Sequence, residues 1–316
     1  MSSFLSIVPA VFLAATIFLP LIRHIEHHEI NDINQDNVPG KFIRLSRGWT
    51  HYEMAGPEKG PVVVFVHGFS VPYYMWDHNF HRLARVGFRV LRYDIYGRGL
   101  SERPDTIYNR DLFVEQLAEL LSALGITEPV SLVGNSMGGA VAAAFTAVYP
   151  EWVEKVVLVD PLCNKRAMGP FGIPVIGEYL TAAFLVPASP GGQLRDFFRP
   201  DDFPEWPRLF REQMQYRGFG RALLSTIRNF LNQDHIADYE RIYQEEKRVL
   251  LIWGAADRTL GIQEAAKLRR ILKPNFLWIE KAGHIPQYER PEIVNPRMID
   301  FLSSGTSNAE TWRKEA

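Results

Sequence analysis

Val130-Ser131-Leu132-Val133-Gly134-Asn135-Ser136-Met137-Gly138-Gly139-Ala140-Val141-Ala142-Ala143-Ala144 is the stretch from which the fold of this chain is read. The run from Val130 to Val133 is apolar throughout, as a strand buried on both faces of a sheet requires. Residues 138–144 are small and suit a helix packed close to that sheet. Between the two, Gly134-Asn135-Ser136-Met137-Gly138 has the pattern G-x-S-x-G. Glycine and serine are common, so the pattern alone says little. A strand running in and a small-residue helix running out make it a strand–turn–helix elbow with Ser136 at the apex. Such a turn strains the backbone at the serine and needs glycine on both sides for close approach. It sets the hydroxyl at the carboxyl end of the strand, above a helix amino terminus.

Outward from the elbow, strand and helix patterns alternate. Residues 41–46 and 49–55 read as two strands joined by a turn at Arg47-Gly48. Residues 62–66 (VVVFV), 88–93, 156–159, 249–253 and 276–279 continue the strand series. Helical patterns near residues 75–86, 111–124, 137–149 and 263–272 fall between them. This alternation predicts an α/β fold with a mostly parallel central sheet flanked by helices on both faces. It breaks over residues 161–246, which hold amphipathic helical pieces and many aromatics, among them Phe171, Phe184, Phe197, Trp206, Phe210, Phe219 and Phe230. A stretch this long is no simple connection. It is expected to be a helical cap inserted between two strands, with most of its aromatics in the cap's own core.

A serine hydroxyl is a poor nucleophile at neutral pH and needs a base, which in turn needs an orienting group. Gly283-His284 follows the last strand pattern and Trp253-Gly254-Ala255-Ala256-Asp257 follows the one before it. Both residues therefore belong on loops at the carboxyl edge, next to the elbow. The chain order is Ser136, Asp257, His284. These pieces, with His67-Gly68-Phe69 and Asp94-Ile95-Tyr96-Gly97-Arg98-Gly99-Leu100-Ser101, resemble the α/β-hydrolase superfamily from about residue 41 to 303. The resemblance implies the α/β-hydrolase fold, Ser136 as nucleophile, His284 as base and Asp257 as its orienting acid. It also implies that the backbone N–H groups of Phe69 and Met137 form an oxyanion hole. Asp160, which follows another strand, is the alternative acid. His67 is expected to be a structural turn residue and Asp94 to brace the turn after its strand. His24, His27 and His28, and His78 and His81, have helical spacing but no convincing carboxylate or cysteine partner, so solvated faces are expected there. Cys163, the single cysteine, rules out an internal disulfide and is expected to be inert. No metal or organic cofactor is called for.

Formal net charge is −1 and there is no Lys/Arg cluster with interleaved aromatics, which argues against a nucleic-acid partner. Residues 4–22 carry no charge. At 1.5 Å per residue these roughly 19 residues would span about 28 Å, close to the hydrocarbon core of a bilayer. No Lys or Arg precedes the run and it lacks an Ala-x-Ala site. An uncleaved membrane anchor therefore fits better than a cleaved signal peptide, although Pro9 and Pro20 interrupt it. A hydrophobic arm packed on the domain is the third possibility. The expected organisation is an anchor at 1–22, a polar linker at 23–40, a core at 41–160 and 247–303, a cap at 161–246 and a polar tail at 304–316.

Serine at the elbow argues against relatives of this superfamily that carry Asp there, the haloalkane dehalogenases and epoxide hydrolases. The expected reaction is hydrolysis of a carboxylic ester, a lipophilic one such as a monoacylglycerol. The anchor, His-Gly-Phe-Ser and Ser-Met-Gly-Gly together resemble membrane-bound monoacylglycerol lipases of the superfamily. Two other possibilities stand beside it. Gly-Asn-Ser-Met-Gly-Gly resembles the elbow of the meta-cleavage product hydrolases, which break C–C bonds but usually have Trp after the histidine, where this chain has Ile285. A non-catalytic binding protein on the same fold is the other. The oligomeric state is not legible.

Overall fold

The computed structural model describes residues 18–33 and 37–305. Eight strands form one sheet: β1 (Lys41–Leu45), β2 (Gly48–Ala55), β3 (Val62–Val66), β4 (Arg89–Tyr93), β5 (Val130–Asn135), β6 (Val153–Val159), β7 (Arg248–Gly254) and β8 (Asn275–Ile279). Their order is β1-β2-β4-β3-β5-β6-β7-β8. The β1–β2 hairpin and the β2–β4 pair are antiparallel, and all other neighbours are parallel. Every residue of β3 and β5 is buried, as their unbroken apolar runs require of strands covered on both faces.

Helices cover both faces. On one side lie α1 (Asp77–Arg85) and, at the end of the chain, α10 (Pro286–Glu289) and α11 (Pro291–Ser303). On the other lie α2 (Arg110–Ala123) and α3 (Met137–Val148), joined by α8 (Ile236–Gln244) and α9 (Ile262–Leu272). The sequence reading places no helix over residues 291–303, where Pro291 and Pro296 stand inside the window. Pro291 occupies the first turn, where no donor is lost. Val294, Met298, Phe301 and Leu302 repeat at helical spacing and are buried, which is the signal that identifies the helix.

The chain passes from β3 to β4 on one side of β3 and then to β5 on the other, so the strand order reverses there. Loops leaving neighbouring strands at such a reversal diverge and open a crevice at the carboxyl edge. Val66 pairs with Gly134, which brings the loop after β3 beside the elbow after β5.

Between β6 and β7 the cap is helical, as its composition requires. A run from α4 (Ile176–Leu180) through a π turn (Thr181–Leu185) into α5 (Val186–Gly192) is followed by α6 (Trp206–Met214) and α7 (Phe219–Thr226). Phe197, Trp206, Phe210, Phe219 and Phe230 are buried, but they join the hydrophobic clusters that cover the two faces of the sheet. The aromatics expected to form the cap's own core instead pack the cap onto the sheet domain, whereas Phe184 is exposed. The last helix of the segment, α8, packs against α3, and its Tyr239 and Ile242 join the core of the sheet. It therefore belongs with the flanking layer.

Residues 23–33, whose composition suggests a linker, lie along the cap. Glu26 accepts from the N–H groups of Gly218 and Gly220, both at 2.7 Å, and so sits at the amino terminus of α7. Backbone bonds join His27 and His28 to Gln215, and Arg217 to His28. Ile30 is buried. Residues 1–17, with most of the expected anchor, and residues 306–316 of the expected tail lie outside the described residues. No helix among the described residues is long and apolar enough to cross a membrane.

Candidate active site

Ser136 links β5 to α3 with φ 54° and ψ −120°, a backbone conformation that a residue with a side chain rarely adopts. The surrounding structure holds it there. Its N–H donates to the Val159 carbonyl at 3.0 Å, and its own carbonyl accepts from Leu162 at 2.9 Å. A Cβ on Gly138 would meet the carbonyl oxygens of Val66 and His67 at 2.3 and 2.4 Å, so α3 begins against β3 only with glycine there. Met137 is the first residue of α3, and its N–H has no acceptor within the helix. Gly68 packs on the same point, since a Cβ there would lie 3.5 Å from the Cβ of Ser136. The peptide leading into Phe69 thus flanks the serine.

His284 and Asp257 come from the loops after β8 and β7. Their side chains are buried, and His284 Nδ1 lies 2.8 Å from Asp257 Oδ2. The other oxygen of Asp257 accepts from the N–H groups of Thr259 (2.7 Å) and Leu260 (3.0 Å). Burial works to raise the Asp257 pKa, but His284 and these two donors outweigh it and hold the carboxyl below its ordinary range. Burial works to lower that of His284, yet Asp257, with Asp196 behind it, leaves it raised. With Nδ1–H directed at the carboxylate, Nε2 of the neutral ring is the acceptor. Asn135 joins this pair to the elbow: its side-chain amide donates to the carbonyls of His284 and Val159, each at 3.1 Å. The residue next to Ser136 therefore grips the backbone of His284.

Asp160 is a second carboxyl at the same place. It is fully buried, has φ 40° and accepts from the Gly254 N–H. One ligand atom each of Asp160, Asp257 and His284 lie within 4.8 Å of one another. Burial, then the charge of Asp257, push the Asp160 pKa well above its ordinary value, so Asp160 holds a proton more tightly than Asp257.

A model of the alpha/beta hydrolase family matches residues 63–297. The chain belongs to the α/β-hydrolase family. This hydrolase is 27% identical over 289 residues to the AB hydrolase superfamily protein YfhM of Bacillus subtilis, across 85% of this chain and 99% of that one. It is 27% identical to Lipase 1 of Psychrobacter immobilis, across 81% of each chain. Its fold matches a crystal structure described as a membrane phospholipase A with a TM-score of 0.67 and 24% identity, over 96% of this chain and 98% of that one. Relatives at similar distance are named as an epoxide hydrolase and as a hydrolase of a dienedioate. Family membership therefore sets the fold without setting the bond that is cut.

Around the candidate site, His67 and Asp94 hold backbone. The N–H of Ile95 donates to His67 Nε2 at 2.8 Å, which leaves the proton on Nδ1 for the Gly68 carbonyl at 2.9 Å. Burial lowers the His67 pKa to about 4, so the ring stays neutral. Asp94 accepts from the N–H groups of Tyr73 and Leu100 and from His51. Cys163 is buried with its sulfur 3.2 Å from Glu264, and burial raises its thiol pKa, so the nucleophilic thiolate is disfavoured.

Sequence reasoning missed the residues that tie the site to the cap. Arg98, fully buried, donates to the carbonyls of Phe69 (2.7 Å) and Tyr96 and to the Thr226 hydroxyl (2.8 Å), which joins the loop after β3 to α7. Arg98 stands inside a motif, but nothing local to it names those partners. The N–H of His284 donates to the Asp196 carbonyl at 2.7 Å, and Thr259 donates to the Asp196 carboxylate. Glu289 accepts from Phe198 in the cap (2.7 Å) and Gly283 beside His284 (2.5 Å). No spacing rule links residues 196 or 198 to these partners.

Proposed function

We propose that this α/β hydrolase cleaves carboxylic esters of lipophilic acyl chains through an acyl-enzyme formed on Ser136. One observation carries the proposal: the Asp257–His284 pair is bonded through Asn135 to the strained elbow that bears Ser136. In this mechanism His284 Nε2 removes the Ser136 proton as the hydroxyl attacks the acyl carbon. The N–H groups of Phe69 and Met137 receive the oxyanion, and losing one such donor typically costs about 3–4 kcal/mol. His284 then protonates the leaving alcohol. Water activated by the same ring releases the acid. Asp257 stays ionised and fixes the tautomer, and these steps use protein groups and water alone.

Three things support a lipophilic substrate: the uncharged run at residues 4–22, which we read as membrane attachment, the lipase relative, and the structural likeness to a membrane phospholipase A. A chain-length series of p-nitrophenyl esters tests the proposal, with the full chain compared with its Ser136→Ala variant. Turnover that falls by about 10⁶-fold in the variant is expected, with preference for medium or long chains. A folded protein that hydrolyses no ester but cleaves a dienoate C–C bond would replace ester hydrolysis with C–C hydrolysis. One that does neither, and that an organophosphonate fails to label at Ser136, would be a binding protein.

A further inference from the structure

The cap displays an apolar face to solvent where the run from α4 to α5 begins. Ile173, Val175 and Ile176 are exposed there, and Phe184 is exposed two turns on. Ile176, Leu180 and Phe184 are spaced by four along this run, with Ile176 and Phe184 exposed and Leu180 half-buried. Val175 has φ 67° and is 79% exposed. A β-branched residue at positive φ is strained, and here the strained residue presents an apolar side chain to water.

Arg23 fastens a second apolar element beside this run. Its guanidinium donates to the Ala183 carbonyl at 2.7 Å and lies 5.7 Å from the centre of the Phe184 ring. Residues 18–22, immediately upstream, are helical and expose Phe18, Leu21 and Ile22. The sequence from 4 to 17 that leads into them has no charged side chain. The apolar run of the sequence thus joins the folded domain beside the exposed ring of Phe184. Exposed apolar side chains gathered along one cap segment and the segment next to it are the kind of surface that marks an interaction site.

We propose that this cap face seats on the surface of a lipid bilayer, with Val175, Ile176 and Phe184 entering the headgroup region beside residues 18–22. The proposal deepens the lipophilic-ester reading and rests on it for its purpose. The same run leads through α5 to Asp196, whose carbonyl accepts from the His284 N–H.

The test uses the full chain with an environment-sensitive fluorophore on Val175→Cys or Phe184→Cys, and phosphatidylcholine vesicles with and without spin-labelled lipid. Cys163 is fully buried and stays unlabelled. Val148→Cys, exposed at the far end of α3, is the control. Labels at 175 and 184 should shift to the blue with vesicles and be quenched by the spin label, and the label at 148 should do neither. Failure to bind vesicles overturns the proposal. So does vesicle-bound protein whose 175 and 184 labels do not respond, since attachment then rests on the upstream segment alone. A shift that appears without lipid and grows with protein concentration also overturns it and assigns the face to a second copy. The fluorescence needs no turnover and is repeated in Ser136→Ala, so docking and ester hydrolysis fail separately. Ile176→Glu should lower turnover of a vesicle-dispersed ester about tenfold and leave that of a soluble short-chain ester unchanged.

Discussion

Two carboxyls and one imidazole share a buried site, and their charges cannot all be independent. Asp257 has the histidine and two N–H donors, so it takes the negative charge. Asp160 has the Gly254 N–H and a charged neighbour, so it holds a proton more tightly. Two substitutions separate their roles. Asp257→Asn should lower kcat by about 10⁴-fold, because an amide selects the wrong tautomer of His284. Asp160→Asn, which replaces the carboxyl that holds its proton more tightly, should change kcat less than about tenfold. Steady-state kinetics on a soluble ester measures both, and near-normal activity in Asp257→Asn would make Asp160 the working acid. The pH profile follows from the same charges. His284 must be neutral to accept a proton, so activity is present above its pKa and lost below it. Because Asp257 holds that pKa above the ordinary 6.5, the acid limb of kcat/KM should lie above pH 6.5. It should move to lower pH in Asp257→Asn, where the negative charge is gone; an acid limb that stays in place would mean another group titrates there.

At the scale of elements, the elbow works because α3 starts in contact with the carbonyls that end β3. Gly138→Ala puts a methyl group 2.3 Å from a backbone oxygen, which only movement of the helix or strand relieves. Overpacking of this sort costs about 1–3 kcal/mol. Urea denaturation should show the midpoint falling with an unchanged slope. Activity should fall more than stability, since α3 carries Met137 and follows Ser136. The elbow and both other site loops were legible in sequence because each is a local pattern, a strand followed by a short turn with glycine. Helix α11 was not, because its prolines obscured a sound apolar periodicity. Likewise α8 reads as cap by its position along the chain, and only packing against α3 assigns it to the flanking layer.

Across the whole molecule, the cap and the core meet at the His284 loop. Glu289 shares that contact with Asp196, for it satisfies donors on both sides at once. Glu289→Ala leaves the N–H groups of Phe198 and Gly283 without their acceptor. We expect kcat to fall about 10- to 100-fold, since misplacing a reacting group by about 1 Å costs this much. Hydrogen exchange should show faster exchange in residues 196–199 and 282–285 together. Protection that changes in only one of the two segments would show that the carboxylate does not couple them. The amino-terminal segment belongs to the same scale. Composition reads residues 23–33 as a linker, yet Glu26 and backbone bonds lay them along the cap.

What the sequence by itself determined is whatever depends on neighbours along the chain. Apolar runs set strands buried on both faces, alternation with helical patterns set the parallel sheet, and Ser136, between Gly134 and Gly138, fell with Asp257 and His284 at the carboxyl edge. Tertiary structure alone decided which buried carboxyl holds a proton more tightly, which loop Arg98 holds, and how Asp196 and Glu289 fasten the cap to His284. It also decided which apolar side chains of the cap face solvent. These depend on contacts between residues tens to hundreds of positions apart, where burial and the charges brought beside a group, rather than its sequence neighbours, fix its state.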